Sequence, residues 1–186
     1  MTDLTEYQVT QLTGLSECYI HTHPRVDNFT FVFGSFYDVT TQTASANTAT
    51  AMNLGVTDMV NGTKINSLTS SKIHVSRSGI YNIQFSAQLA NSDSSEHDVS
   101  IWLALNGAPV DNTTTLVTVP KKLGGINGHA VAAWNFFVYL NKGEYAELYW
   151  STPHTGVFIE YSAPMTTPTR PAVPSVILTL AFVSDK

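Results

Sequence analysis

The sequence predicts an all-β domain, a sandwich or a barrel, behind an extended N-terminal arm. Apolar and polar residues alternate along most of the chain from residue 29 onward, which is typical of half-buried strands. Turn signals rich in Gly, Asn and Pro recur between these runs. No segment has convincing helical periodicity, so we expect many short strands packed in a sandwich or a barrel.

A few segments carry the strand prediction. The run Ile80–Ala90 alternates apolar and polar residues throughout, and Val99–Leu105 repeats the same period of two. The dipeptide Asn106-Gly107 follows the second run and is the strongest short signal for a hairpin turn. A continuous apolar run spans residues 130–140, and the last strand is predicted over residues 176–183.

Residues 1–28 differ from the rest, because their apolar positions fit neither helix nor strand spacing. The segment ends in His21-Thr-His-Pro24, and a proline disfavours helix in the residue before it. We therefore divide the chain into an arm over residues 1–28 and one β domain over residues 29–186. We expect the arm to become ordered through contact with another molecule.

Composition argues against several kinds of partner. Lys and Arg number 9 against 14 Asp and Glu, a net charge of −5, and no basic run occurs, so we expect no nucleic-acid binding. No apolar run approaches the ~20 residues of a membrane span, and we expect no membrane contact. The N-terminal residues do not resemble a signal peptide. The lone Cys18 excludes an intrachain disulfide.

No spacing of residues predicts catalysis, and we expect a protein that is not an enzyme. The sequence has no glycine-rich phosphate loop, no Gly-x-Ser-x-Gly elbow and no evident carboxylate pair. His21 and His23 stand out, because residues i and i+2 of an extended chain point to the same side. If three copies of the chain assembled around a threefold axis, these residues would offer six imidazoles to a transition-metal ion. The alternative is two solvated histidines in a linker, and no other cofactor is expected.

Three segments of the sequence resemble the C1q/TNF-like domains. Residues 75–85 are similar to the Gly-x-Tyr step that opens a long inner strand of that family. Residues 134–148 are similar to its hairpin of two strands around a Gly-Asp turn, although Glu144 stands where Asp is usual. Residues 174–180 are similar to its last core strand.

Other segments, residues 33–43, 101–107 and 132–135, are similar to phage-encoded members of this group. The resemblance covers residues 30–183 and implies a jelly-roll β-sandwich that packs as a threefold homotrimer. Abundant Tyr and Trp with few charges suit an aromatic-rich subunit interface, whereas the alternative is that these rings fill the core of a monomer. The residues expected at the trimer or partner contact are Trp102, Trp134, Trp150 and Tyr149.

The function that the resemblance implies is structural, in a phage particle. We predict a trimeric capsid decoration (cement) protein on the virion surface, which binds the major capsid protein and stabilises the head shell. The arm would reach over neighbouring capsid subunits. The arm residues expected to touch the capsid are Leu4, Tyr7, Val9, Leu12, Leu15 and Tyr19.

The main alternative is a tail fibre or receptor-binding tip that recognises host-surface glycans. Trp102 alternates onto the face opposite Ile101 and Leu103, where an aromatic ring could stack on a sugar; we favour a subunit contact, because large exposed aromatics are otherwise a liability. A cellular C1q/TNF-like ligand is a weaker alternative, since we recognise no signal peptide, collagen repeat or membrane anchor. A glycan hydrolase is weaker still.

Overall fold

The computed structural model describes residues 31–66 and 68–186. The chain divides into two units, residues 1–30 and Phe31–Lys186, and the second contains the described residues. Every regular element in the described part is a β-strand, as the alternating pattern predicts. The strands are β1 (Phe33–Asp38), β2 (Gln42–Thr43), β3 (Thr50–Ala51), β4 (Val56–Asn61), β5 (Thr63–Asn66), β6 (Thr69–Val75), β7 (Gly79–Asn91), β8 (His97–Leu105), β9 (Ala108–Pro109), β10 (Thr115–Val119), β11 (Gly128–Leu140), β12 (Tyr145–Ser151), β13 (Val157–Ile159), β14 (Met165–Thr166), β15 (Thr169–Arg170) and β16 (Val176–Ser184).

The first sheet is built around the long strand β7. Strand β11 pairs with β7 along its whole length, and β16 pairs with the other edge of β7. Strand β1 follows β16, and β4 follows β1, so the order across the sheet is β4-β1-β16-β7-β11. Strand β13 pairs with the last residues of β7, and β2 pairs with β13. All of these pairings are antiparallel, and β11 lies at one edge.

The second sheet packs against the first. Its strand order is β10-β8-β12-β6-β5, with β3 paired to β12 and β9 paired to β8. Consecutive long strands repeatedly cross between the sheets: β7 belongs to the first, β8 and β10 to the second, β11 to the first and β12 to the second. This alternation is the connectivity of a jelly roll, and the prediction of an all-β jelly-roll sandwich is confirmed.

The core lies between the two sheets, where each strand turns every second residue inward. In β7 the inward residues are buried along the strand, and the same alternation holds in β1, β8 and β16. Burying a large apolar side chain contributes about 1.5–3 kcal/mol, so this core is the main source of stability. Its largest fully buried side chains are Trp150, Tyr81, Phe36, Met52, Leu54, Ile73, Ile83, Leu89, Ile101, Leu103, Leu140 and Leu148.

Two turns have positive φ angles, which explains why Asn and Gly occupy them. Asn106 and Gly107 join β8 to β9 with φ angles of 52° and 81°, as the Asn-Gly signal predicts. Gly124 and Gly125 lie between β10 and β11 with φ angles of 60° and 87°. The backbones of Leu123 and Ile126 hydrogen-bond each other across this second turn, whose side chains are exposed. A Cβ atom added at either glycine of this turn would meet nothing within 4 Å.

The described part also contains strands that the sequence did not predict. Strands β4, β5 and β10 do not show a clear alternation of apolar and polar residues, and the hairpin β14–β15 lies inside the Pro-rich stretch of residues 164–174. Among the residues described, no helix is long and apolar enough to cross a membrane.

Candidate interaction surfaces

The outward side chains of β1, β16, β7 and β11 in the first sheet include no Asp, Glu, Lys or Arg; His129, at the start of β11, also points outward and contacts Glu160 at 2.9 Å. Antiparallel pairing places residues of β1, β16, β7 and β11 side by side, so that one row runs from Tyr37 through Ile177 and Ser86 to Ala133. The next rows follow every second residue along each strand. We call this set the uncharged face; it comprises Phe33, Ser35, Tyr37, Ile80, Asn82, Gln84, Ser86, Gln88, Val131, Ala133, Asn135, Phe137, Tyr139, Ile177, Thr179 and Ala181.

Several large apolar side chains of the uncharged face are open to solvent. Phe137 is 63% exposed and Val131 is 59% exposed, both on β11, while Tyr139 and Ile177 are each 38% exposed. Amide and hydroxyl side chains fill the positions between them, including Gln84, which lies directly opposite Asn135. An apolar surface interspersed with uncharged polar groups is typical of a protein–protein interface.

The edge of the same sheet presents a second apolar surface. Trp134 is 54% exposed, although its neighbours on the same side of β11, Ala132 and Phe136, are buried. Phe136 is held in the core by stacking on Phe85, with the ring centroids 6.1 Å apart. Within the described residues β11 pairs only with β7, so its outer edge carries backbone groups without a strand partner. Trp134 therefore marks an edge open to another molecule.

The predicted contact residues Trp102 and Tyr149 lie on the outer face of the second sheet. They are cross-strand partners in β8 and β12, and their rings stack with centroids 5.9 Å apart and planes 18° apart. The prediction that Trp102 faces away from Ile101 and Leu103 is confirmed, because those two residues are buried in the core. Burial, with the Glu147 carboxylate as a second cause, raises the pKa of the Tyr149 hydroxyl.

Trp150 does not belong to any surface. It is 0% exposed and lies opposite Ile101 in the core, so the expectation that its side chain meets another subunit was wrong. The physical reason is the period of two in β12: Tyr149 faces outward, and its neighbour must face inward. The predicted contact set thus lies in three places, namely the edge of the first sheet, the outer face of the second and the core.

A buried carboxylate lies next to the Trp102–Tyr149 pair. Glu147 is only 1% exposed, and its Oε1 accepts a hydrogen bond of 2.7 Å from the Ser71 hydroxyl. Its other carboxylate oxygen, Oε2, has no hydrogen-bond partner within the described residues. The Lys72 ammonium lies nearby, 4.8 Å from the centroid of the Tyr145 ring. Aromatic rings, a carboxylate and an ammonium group are thus concentrated on this face.

Sequence reasoning missed Phe137, Tyr139 and Ile177 of the uncharged face. The run over residues 130–140 is apolar at nearly every position, so alternation could not separate its inward residues from its outward ones. The pairing of β11 with β7 supplies the missing information, because Phe137 lies opposite Asn82, a polar residue of a clearly alternating strand. A prediction of that pairing would have identified the uncharged face.

The predicted metal pair, His21 and His23, lies outside the described residues, and so does the arm over residues 1–28. The proposed metal site and the capsid contacts of the arm therefore stay predictions. The arm residues concerned are Leu4, Tyr7, Val9, Leu12, Leu15 and Tyr19.

Comparisons with known proteins identify the fold. No protein-family profile and no curated protein matches the chain. Among solved structures, the chain is similar to the Eiger TNF from S. frugiperda, with a TM-score of 0.54 and 12% sequence identity. The similarity covers 84% of this chain and 94% of that one. The fold is therefore a TNF-like jelly roll, as the resemblance in the sequence implies.

Proposed function

We propose that this chain is a non-enzymatic structural protein of a phage particle, a homotrimer that decorates the capsid. The observation that carries the proposal is the uncharged face of the first sheet, with its exposed Phe137 and Val131. Such a surface is unfavourable in water and is stabilised when a partner covers it. The threefold packing and the location on a virion are proposed from the resemblance to phage-encoded C1q/TNF-like domains.

The presence of two different apolar surfaces on the same sheet favours a ring over a two-fold dimer. The uncharged face and the edge at Trp134 are different surfaces of the same sheet. If the edge of one copy packs on the face of the next, each contact joins unlike patches, and such contacts close into a ring when the rotation permits. In a closed ring every edge and every face is in contact, and the number of three copies is taken from the resemblance to the C1q/TNF-like domains.

The oligomer can be tested with the full chain in solution. Light scattering after gel filtration should give a mass about three times the chain mass of 20.3 kDa. Phe137→Glu places a charge in the face and should shift the protein to the monomer mass. Leu116→Glu is the matched control, because Leu116 is as exposed as Phe137 but lies on β10 of the second sheet. A monomeric wild-type chain, or equal effects of the two variants, would contradict the trimer.

The capsid role is tested by the number of copies of this chain in purified virions. Quantitative mass spectrometry against the major capsid protein should give hundreds of copies, because only the repeated lattice of the head offers so many sites. Removal of residues 1–28 should abolish binding to capsids and leave the trimer intact. A few trimers per virion would reject decoration of the head and favour the tail.

The second candidate function is recognition of host-surface glycans by a tail fibre or tip. The observation that favours it is the Trp102–Tyr149 pair beside Glu147 on the outer face of the second sheet. Aromatic rings can stack on the apolar faces of sugars. Binding of the purified protein to host polysaccharide that is lost in Trp102→Ala and kept in Leu116→Ala would support this candidate.

A further inference from the structure

Two histidines and an aspartate meet at one end of the sandwich. Asp93 lies in the loop from β7 to β8, and His97 is the first residue of β8. His154 comes from a different part of the chain, the turn between β12 and β13. Both connections pass from one sheet to the other, so the three side chains lie where two crossover loops come together.

The atoms that could ligate a cation are within 4.8 Å of one another. His97 Nε2 is 2.7 Å from Asp93 Oδ2, and His154 Nε2 is 3.9 Å from the same oxygen. The two imidazole rings are parallel, with centroids 4.4 Å apart and planes 3° apart. One carboxylate oxygen thus faces two imidazole nitrogens.

The three side chains of the cluster are accessible to solvent, and one of them is a carboxylate. The side chains of His97, Asp93 and His154 are 16%, 28% and 44% exposed, so an ion can reach them without unfolding of the loops. The hydrogen bond from His97, followed by one from the backbone of Ser94, lowers the pKa of the Asp93 carboxyl below its usual range. The Asp93 carboxylate thus places a negative charge beside the two imidazole nitrogens, where it attracts a cation.

We propose that Asp93, His97 and His154 form a site for a divalent transition-metal ion of the zinc class. Two imidazole nitrogens and one carboxylate oxygen are a ligand set that suits zinc, with water completing a tetrahedron. Imidazole ligands select transition metals over magnesium or calcium. The ion would join the β7–β8 loop to the β12–β13 turn and hold two crossovers of the jelly roll together. The site is independent of the phage role proposed above.

Binding requires small, definable movements. Ligands of tetrahedral zinc lie about 3.3 Å apart, so the contact of His97 with Asp93 opens by about 0.6 Å and that of His154 closes by a similar amount. The parallel rings tilt so that both nitrogens point at the ion. His154 Nδ1 accepts a hydrogen bond of 3.1 Å from the Gly156 amide, which leaves the ring proton on Nε2. Ligation through Nε2 moves the proton of His154 to its Nδ1, and the amide of Gly156, beside exposed Thr155, turns away. The Nε2 proton that His97 donates to Asp93 likewise moves to Nδ1 of His97 or is released to water.

The test uses the full chain, produced without a polyhistidine tag and stripped with a chelator. Titration with zinc chloride in a calorimeter, with elemental analysis after gel filtration, should find one ion per chain at this site. Cobalt(II) should give the visible absorption bands of a tetrahedral complex with nitrogen and oxygen ligands. The double variant His21→Ala/His23→Ala should keep this binding, which separates the site from the predicted pair in the arm.

Two substitutions decide the assignment. His154→Gln and His97→Gln should each weaken zinc binding by about tenfold or more, and melting in the presence of chelator checks that both variants fold. His129→Gln is the matched control, because His129 also contacts a carboxylate, Glu160, at 2.9 Å, but belongs to no three-residue cluster in the described part. Absence of binding to the double variant, or affinity unchanged in both His→Gln variants, would overturn the site.

Discussion

Trp102 and Trp150 show that the position of an aromatic residue in the alternation of its strand decides whether its side chain lies at the surface or in the core. They lie in neighbouring strands of the second sheet, where Trp102 pairs with Tyr149 and Trp150 pairs with Ile101. The first pair faces outward and the second faces the core, because successive side chains of a strand alternate. Composition could identify both tryptophans as important for packing, but only the pairing of β8 with β12 distinguishes a surface ring from a buried one.

The core position of Trp150 leads to a prediction about stability. Trp150→Ala should lower the free energy of unfolding by about 3–5 kcal/mol, because it leaves a large cavity between the sheets. Leu116→Ala, at an exposed position, should change it by no more than about 0.5 kcal/mol. Denaturant unfolding at one fixed chain concentration measures both. A small effect of Trp150→Ala would contradict its burial.

Glu144 gives a prediction that depends on pH. Its Oε2 accepts a hydrogen bond of 2.7 Å from the Asn141 amide, and this bond lowers the pKa of the carboxyl below its usual 4.5. A lowered pKa in the folded state means that the stabilisation is present above pH 4.5 and is lost as the pH falls through the folded value. Glu144→Gln should therefore cost under about 1 kcal/mol at neutral pH.

The stability difference between wild type and Glu144→Gln should shrink toward zero as the pH falls below 4.5 and through the lowered pKa of Glu144 in the folded state. Thermal unfolding across this range checks it, and Asp185→Asn serves as a comparison, because Asp185 pairs with Arg77 at the surface rather than with a backbone amide. A difference that stays constant with pH would show that the hydrogen bond of Glu144 to the turn does not depend on its charge.

At the scale of elements, strands with clear alternation of apolar and polar residues could be predicted from the sequence. The surface formed by β11 could not, because it depends on the pairing of β11 with β7. The long strands β7, β8 and β16 were predicted because their inward residues are apolar and their outward ones are mostly polar. Strand β10 was not, since only Thr115 and Val119 at its ends are buried. Strand β11 was predicted as a strand, but both of its sides are largely apolar. Its outward residues could therefore be identified only from its register with β7.

The hairpin from β8 to β9 tests whether the turn residues are needed for their backbone conformation. Gly107 has a φ angle of 81°, which residues with a Cβ adopt at a cost of about 1–2 kcal/mol. Gly107→Ala should lower stability by that amount. Gly107→Asn should cost less, because asparagine tolerates this conformation. Chemical denaturation of the two variants side by side gives the comparison, and equal losses would argue against strain at the turn.

At the scale of the whole molecule, two kinds of surface are separated between the two sheets. The first sheet carries the uncharged face and the open edge, while the second carries Lys72, Glu147 and the Trp102–Tyr149 pair. Contacts between copies and contacts with other partners can therefore use opposite sides of the same domain. The resemblance in sequence implies a trimer but does not indicate which sheet its subunits would share.

The lack of charge on the uncharged face predicts how the proposed trimer should respond to salt. Screening weakens attraction between charges but leaves apolar burial intact, so the oligomer mass should be the same at about 0.05 M and about 1 M sodium chloride. Sedimentation at both salt concentrations and at low chain concentration measures this. Dissociation at high salt would show that ion pairs outside the uncharged face hold the copies together.

The glycine turn between β10 and β11 suggests a use for this fold as a display scaffold. Gly124 and Gly125 have empty space around them, and the bonded pair Leu123 and Ile126 closes the base of the turn. A foreign peptide inserted between the two glycines would extend into solvent without disturbing either sheet, since exposed loop tips tolerate insertions. If the chain coats a capsid as proposed, one grafted epitope would be repeated across the particle at the density of its lattice.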